Sequence, residues 1–452
     1  MVLKDMIREH EFKIRLYIPF LCLVFVLYGS FIPFHIRSIP LIDAVNQFKH
    51  IPFLDLGIVS RADWVANILL YIPLGFFLSG WTSKRTDSLY KNCLVFLAVF
   101  LFCIMAAAFI EFFQIFFSPR TVSLNDLIAE TLGSSAGIFL WLASGRKLIG
   151  LWFAAKRTPR PESALSAFLF LYLLFLAGIT LFPFDFLISA KEIKWKYGMW
   201  KAQSFLFDAD ISVGFIIKTI AEAALFIPVG GFIGIKYRRA GLEKRMSFVF
   251  LSSFLIGFLI EFLQFFTASG VSQFFSVLVR VLGAFAGLFM VKINFSYCFE
   301  RLKPFMKYII MLVFPIYLAL ALKLSGWSKT GWLNINEGLS TFDLHMLLPF
   351  YFHYFSTETR AVVSVILNFG LYIPVGFSGW LLYFSKKAHN ARYIMGSVFI
   401  SIALSLFIET GKLFQRGLHP DFTNIIIAGF SAVMIFKLSD RIFYIFHHAF
   451  TE

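Results

Sequence analysis

Apolar residues in this chain come in long blocks rather than in stripes along otherwise polar segments. A helix needs roughly 20 mainly apolar residues to cross a bilayer's hydrocarbon. Helices and closed barrels are the structures that can cross, because lipid offers no partner to an unpaired backbone group. Composition points the same way. Hydrophobic residues make up 59% of the 452 and charged residues 15%, and the 61 Phe outnumber the 41 Lys and Arg. A soluble fold of this length needs about a quarter of its residues charged to coat its surface. A large soluble core is therefore excluded, and the expected fold class is an all-α polytopic membrane protein.

The length criterion gives twelve spans, at 16–33, 64–81, 92–117, 123–144, 164–182, 211–235, 246–268, 271–291, 305–323, 361–384, 393–411 and 422–438. Lys13-Ile-Arg15 precedes the first apolar run, and no small-x-small cleavage signal follows it, so this run is expected as an uncleaved span. With the N-terminus inside, cytoplasmic loops hold twice as many Lys and Arg as the outer ones. They include the clusters Arg146-Lys147, Lys156-Arg157, Arg238-Arg239 and Lys244-Arg245, and, with residues at span edges counted to the nearer side, Lys218 and Arg280 are left within spans. The positive-inside bias then places both termini in the cytoplasm. It also accounts for the formal net charge of +15, and with no basic recognition motif present, nucleic acid is not an expected partner. Cys22, Cys93, Cys103 and Cys298 have no paired spacing, so neither a disulfide framework nor a metal site is expected, and no cofactor is implied. Three outer loops, about 34–63, 183–210 and 324–360, are rich in aromatics. Each has a Pro-Phe pair in or beside it (Pro33-Phe34, Pro183-Phe184, Pro349-Phe350), and they read as interfacial or re-entrant segments.

The chain also repeats itself. Leu70-Tyr-Ile-Pro-Leu-Gly75, Leu225-Phe-Ile-Pro-Val-Gly230 and Leu371-Tyr-Ile-Pro-Val-Gly376 are variants of one hexapeptide, with prolines 155 and 146 residues apart. A glutamate in an apolar span follows each proline by 33–38 residues: Glu111, Glu261 and Glu409. The twelve spans thus form three pseudo-repeated four-helix units, 1–150, 151–298 and 299–452. Four crossings per unit keep all three in the same sense, which excludes an inverted repeat. Six residues before the prolines stand Asn67, Glu222 and Asn368. After Glu111 come Gln114, Arg120, Asp126, Glu130, Gly133 and Gly137. The counterparts are Gln264, Gly270, Ser276, Arg280, Gly283 and Gly287 in copy two, and Lys412, Leu418, Asn424, Ala428, Ser431 and Ile435 in copy three. Arg416 and Asp421 lie close enough to serve as offset substitutes in copy three. Copy one keeps most polar groups, copy three some, and copy two has lost the Arg and Asp.

The pattern N-x5-P-x-G, then E-x-x-Q, then R-x5-D-x6-G-x3-G resembles the VanZ family, bacterial membrane proteins named for an accessory of glycopeptide resistance. The resemblance is fullest in copy one, looser in copy three and skeletal in copy two. Copy one departs at Glu130, where the family pattern carries Asn. The resemblance implies a multi-pass protein of the bacterial cytoplasmic membrane with a cell-envelope role, and it supplies no mechanism.

A carboxyl in an apolar span is costly and marks a site whose partner is to be found. The topology puts each glutamate within roughly two turns of the outer interface. Gln114 lies one turn on along the same face, and Arg120 and Asp126 sit at the turn into the next span. Asn67, Glu111, Gln114, Arg120, Asp126 and Glu130 therefore form the candidate binding set, a polar pocket open to the outside. Arg120 suits a carboxylate or phosphate, and a desolvated Glu111 could act as acid or base. The plainer alternative is that the glutamate bonds Asn67 across two helices and holds the bundle. Glu261 persists in a copy without Arg or Asp, which favours a structural part for Glu261, Glu409 and Asn368. Structural parts are also expected for the pairs Pro73/Gly75, Pro228/Gly230 and Pro374/Gly376. Each proline frees a carbonyl (Leu69, Ala224, Gly370), and a kink there lets helices approach. Gly133/Gly137 and Gly283/Gly287 have the spacing of close helix packing. One contact follows from comparing copies. Asn67 and Glu130 in copy one become Glu222 and Arg280 in copy two, and this concerted gain of opposite charge predicts an ion pair.

Three functions fit these residues. The first is binding of a lipid-anchored or amphiphilic envelope compound, with membrane lipids, a lipid-linked intermediate or a lipoglycopeptide as partners. The second is an enzyme on a lipid-linked phosphate or carboxylate. The third is a transporter or flippase, ranked last because few polar residues continue to the cytoplasmic side. His35, His50, His345, His353 and His419 lack metal-ligand spacing and read as interfacial. The oligomeric state leaves no mark on the sequence.

Overall fold

The computed structural model describes residues 2–83, 89–150, 161–203, 213–291, 295–327, 331–386 and 390–451. The basic pair Lys156-Arg157 and the boundary expected at 151 lie outside them, as do the side chains of Lys13, Arg15 and Cys298. The architecture is helical with short extended links. In chain order come α1 (Val2–Phe31), β1 (His35–Ile36), α2 (Leu41–Lys49), α3 (Ile58–Thr82), α4 (Leu89–Gln114), β2 (Phe117–Ser118) and α5 (Leu124–Leu140). They are followed by α6 (Pro161–Leu181), α7 (Ala190–Gln203), α8 (Val213–Lys236), α9 (Leu242–Phe265) and α10 (Phe274–Met290). The remainder is α11 (Phe295–Leu302), α12 (Met306–Leu324), α13 (Ile335–Ser340), α14 (Tyr351–Tyr354), α15 (Glu358–Leu371), α16 (Ile373–Lys386), α17 (Asn390–Lys412) and α18 (Phe422–Thr451).

Among the described residues, nine helices are long and apolar enough to cross a membrane. Three shorter apolar helices, Tyr17–Phe31, Leu165–Leu181 and Phe274–Met290, fall on the other expected spans. The chain is an all-α multi-pass membrane protein. Its burial is the reverse of a soluble fold's. On α4, Met105, Phe109 and Phe113 face outward while Glu111 is buried, because a two-residue offset turns a helical side chain through about 200°. The chain forms two compact units. Met1–Phe232 with Gly241–Phe285 make one, and Ile233–Ala240 with Ala286–Glu452 make the other.

In the first unit, Val26 of α1, Tyr71 and Leu74 of α3, Val99, Cys103, Ala107 and Ile110 of α4 and Ile138 of α5 form one buried apolar cluster. Helices α3 and α5 touch backbone to backbone. A Cβ placed on Gly133 would strike the Ile68 carbonyl, one on Gly137 the Ile72 carbonyl, and one on Gly75 the Ser134 carbonyl. Helices α8 and α10 interlock likewise, Gly283 on Ala223 and Gly230 on Ala284. In the second unit Gly376 of α16 rests on Ala432 of α18. The hexapeptide glycine and the later helix's small residues meet in every case, the arrangement by which helices associate where lipid supplies no hydrophobic drive.

Helices α3 and α8 run on through Pro73 and Pro228, whereas the third hexapeptide divides α15 from α16. Carbonyls near the proline find partners on the first helix of the same copy. Tyr172 donates to the Leu225 carbonyl at 2.6 Å and Tyr317 to that of Leu371 at 3.0 Å. These carbonyls lie one residue beyond the Ala224 and Gly370 expected from sequence. Ahead of α2, β1 pairs antiparallel with β2, His35 opposite Ser118 and Ile36 opposite Phe117. Single bridges, Phe186 to Thr267 and Trp332 to Gln415, make the same link between first-helix exit and glutamate-helix exit in the later copies. The Pro-Phe pairs mark sharp reversals, with Phe34, Phe184 and Phe350 at φ 63°, 66° and 61°, a region uncommon outside glycine.

Candidate functional site

Each of the three glutamates is buried in the last turns of its helix and addresses the start of the next. The carboxyl of Glu261 accepts from the backbone N–H of Gln273 at 2.5 Å, and that of Glu409 from Asp421 at 2.9 Å. Glu111 faces the backbone N–H of Ser123. The register is the same each time, twelve residues on, at a helix N-terminus with unpaired donors and a partial positive charge. The shared part of the site is therefore a carboxyl cradled by a helix start, and this explains why the glutamate survives where its polar neighbours do not.

The neighbours differ. In copy one, Ser123 caps α5. Its hydroxyl donates to Asp126 Oδ2 at 2.6 Å, and the Asp126 N–H returns to the Ser123 Oγ at 3.2 Å. Asn67 Nδ2 donates to Asp126 Oδ1 at 2.7 Å, so Asn67 serves Asp126 rather than the Glu111 of the plainer expectation. Gln114 Nε2 donates to the Ser30 carbonyl at 3.1 Å. Arg120 donates through Nε to the Ile32 carbonyl at 2.8 Å and through Nη2 to the Gly29 carbonyl. The guanidinium thus closes the C-terminal end of α1, where a cation suits the helix dipole, and its charge also acts on the Glu111 carboxyl. Glu130 is also buried, with the Tyr71 hydroxyl facing it from α3. Tyr71 Oη, Glu111 Oε2 and Glu130 Oε2 are all buried without a hydrogen-bond partner.

In copy two, Arg280 occupies the Glu130 position on α10. Its Nη2 lies 2.8 Å from Glu261 Oε1 and 3.7 Å from Glu222 Oε1, and its Nη1 donates to the Gly257 carbonyl at 3.2 Å. The Glu222 contact foreseen from the concerted exchange is the longer of the two. Lys218 adds a second cation, 3.8 Å from Glu222. Gln264 repeats Gln114, donating to the Thr180 carbonyl at 2.8 Å.

In copy three, Lys412 stands at the Gln114 position, with Nζ 2.7 Å from Glu409 Oε1. Asn424 donates to the same oxygen at 3.0 Å. Asp421 holds the cap position of Ser123 and accepts from the Thr423 N–H at 2.8 Å, and His353 Nδ1 lies 3.3 Å from its Oδ2. Asn368 turns onto its own helix, to the Ser364 carbonyl at 2.9 Å. Arg416 is exposed and holds the link through its backbone to Gly331. Asp421 is thus an offset cap, and Arg416 does not take the place of Arg120.

Sequence reasoning missed Tyr71 and Ser123, and it aligned Lys412 with Gln114 without foreseeing its contact with Glu409. Tyr71 was printed in the hexapeptide, as Tyr in copies one and three and Phe226 in copy two. It also missed the bidentate pair of Arg61 with Glu192, 2.8 and 3.0 Å, which joins the start of α3 to α7. That pair had no repeat counterpart to reveal it. Two cavities lie away from Glu111. One of about 730 Å³ is lined by Ser83, Asn92, Cys93, Trp141, Arg146 and Lys147, at the opposite end of α4. One of about 520 Å³ is lined by Tyr317, Pro374, Gly379, Arg392, Tyr393 and Ser397 in the second unit.

No curated protein and no solved structure matches the chain. The segment that holds Asn67, Tyr71, Glu111, Arg120, Asp126 and Glu130 does match a protein family. Residues 11–147 fit the model described as VanZ/LLP1, and the chain carries a VanZ-like membrane domain there.

Proposed function

We propose that the chain is a VanZ-like protein of the bacterial cell envelope, with twelve spans in three pseudo-repeats and both termini cytoplasmic. It binds a lipid-anchored or amphiphilic envelope compound through copy one, and the other two copies serve as scaffold. One observation carries this reading. Among the described residues, Glu261 and Glu409 each meet a cation of the chain, Arg280 and Lys412, whereas Glu111 and Glu130 meet none and keep buried oxygens without a hydrogen-bond partner beneath the half-buried rim of Asn67 and Asp126. Buried polar groups are ordinarily satisfied, and a set left open at one place and closed by the chain's own cations at two others has the form of a binding site beside two decayed ones. The enzyme reading loses support because Arg120, its anion holder, is occupied by the carbonyls of α1. By its VanZ-like domain, the phenotype to follow is tolerance of glycopeptide antibiotics.

Native mass spectrometry of the protein released from its own membrane tests the proposal. A lipid or envelope amphiphile should stay with the wild type and be lost from Asn67→Leu and Glu130→Gln, both retaining normal helicity and elution volume. An identical adduct pattern in all three proteins would sink the binding reading.

A further inference from the structure

The two later copies show which chemistry satisfies the buried glutamate. Arg280 sets a guanidinium 2.8 Å from Glu261, and Lys412 sets a primary ammonium 2.7 Å from Glu409. The two cations come from different positions, Arg280 from the Glu130 place and Lys412 from the Gln114 place, yet both reach the carboxyl of the glutamate helix. In copy one, among the described residues, no Lys or Arg nitrogen lies within ion-pair distance of Glu111 or Glu130. Glu111, Asp126 and Glu130 lie near enough to act on one another, and Arg120, the basic residue that acts on Glu111, gives its Nε and Nη2 to carbonyls of α1. Tyr71 is fully buried, and its hydroxyl faces Glu130. An ionised carboxylate is an acceptor only, and a donor that also brings positive charge would satisfy these oxygens as Arg280 and Lys412 satisfy Glu261 and Glu409. No group of three His, Cys, Asp or Glu among the described residues has the disposition to hold a metal ion, which turns the choice toward an organic cation.

We infer that copy one binds a primary ammonium group, held between Glu111 and Glu130 with Tyr71 beside it and Asn67 and Asp126 at its mouth. This deepens the reading that copy one binds an amphiphile and rests on it. The charge it selects is opposite to the anion that Arg120 suggested in the sequence.

The test uses the whole protein in phosphatidylcholine nanodiscs, titrated with dodecylamine, ethylamine, dodecyl phosphate and sodium chloride, with the thermal unfolding midpoint as readout. Dodecylamine should raise the midpoint saturably, and Glu111→Gln should weaken its binding by about 100-fold, the scale of an ion pair losing one buried partner. Glu130→Arg should unfold at a higher midpoint than wild type and no longer respond to amine, because it installs the copy-two cation. Glu130→Gln gives the second comparison, with the same loss of response. Ethylamine matching dodecylamine would make the source a free amine, and a response to dodecylamine alone would make it an amphiphile's head; both support the ammonium. Dodecyl phosphate stabilising as well as the amine, or sodium chloride doing so, would overturn the ammonium assignment and leave ligand binding standing. Silence to every probe, or an unchanged amine response in Glu130→Arg, would overturn it as well, and silence together with an identical adduct pattern in native mass spectrometry would remove the binding reading itself.

Discussion

Copies one and two share a backbone frame and differ in how they treat charge. In both, a proline helix and a glycine helix meet closely enough that carbonyl oxygens touch the glycines, and in both a buried glutamate faces the start of the next helix. Copy two then closes its site with Arg280 between Glu261 and Glu222. Copy one sets Glu130 in the same place, against Tyr71 and within reach of Glu111. One frame therefore tolerates either a neutralised polar core or an acidic one. What separates the two copies here is the sign of the residue at position 130 or 280.

The largest effect should come from opening the closed copy. Arg280→Ala strands Glu222 and Glu261 in the first unit's interior, and removing one partner of a buried ion pair costs about 3–5 kcal/mol. Denaturant unfolding in a mild detergent should show the loss, and pairing the change with Glu261→Gln should recover most of it. Equal stability of Arg280→Ala and wild type would mean that the guanidinium does not hold copy two together, and the contrast with copy one would collapse.

Next come the glycines, where the two copies should behave alike. Gly133→Ala and Gly283→Ala each force a methyl into a carbonyl of the facing helix, Ile68 or Ala223, and overpacking of this kind costs about 1–3 kcal/mol. The same assay reads both. A severe loss in one copy and none in the other would show that the frame itself has diverged.

Ser123→Ala follows. It removes the cap that holds Asp126 and begins α5, and loss of such a cap costs about 1 kcal/mol. Hydrogen exchange of the first α5 amides should rise, with the α10 amides of copy two unchanged, since Ser276 and Gln273 there make no equivalent cap with an acidic partner.

These contrasts also mark what could be read in advance. The blocks of apolar residues located the helices because a span's length is set by the bilayer, and the register of the hexapeptide aligned residues that the structure places in equivalent contacts. The Glu222–Arg280 contact was legible because both positions changed together. Arg280's nearer partner, Glu261, was not, because a residue that stays constant leaves no exchange to detect. The carbonyl partners of Arg120 were hidden for a different reason. They are the carbonyls of Gly29 and Ile32, and a backbone carbonyl has no signature in sequence. The links β1–β2 are two residues long, too short for any alternation of apolar and polar side chains to announce them.

The smallest effect concerns the pair that joins copy one to copy two. Arg61 holds Glu192 by two hydrogen bonds, and Glu192 also accepts from the N–H groups of Ile188 and Ser189 at 3.0 and 3.1 Å, the capping box of α7. The Arg61 guanidinium, and then these N–H donors, depress the Glu192 carboxyl to a pKa of about 2, below an unfolded value of about 4.3. A depressed acid stabilises fully above its unfolded pKa and loses that contribution as pH falls through the folded value. The join should therefore hold at neutral pH and weaken only between about pH 4 and 2. Being partly buried, it should weaken only a little as salt rises. Hydrogen exchange at the first turn of α7, followed against pH, should show this acid transition in wild type and not in Glu192→Gln. A wild-type transition near pH 6 would instead point to a histidine and remove Glu192 from the join.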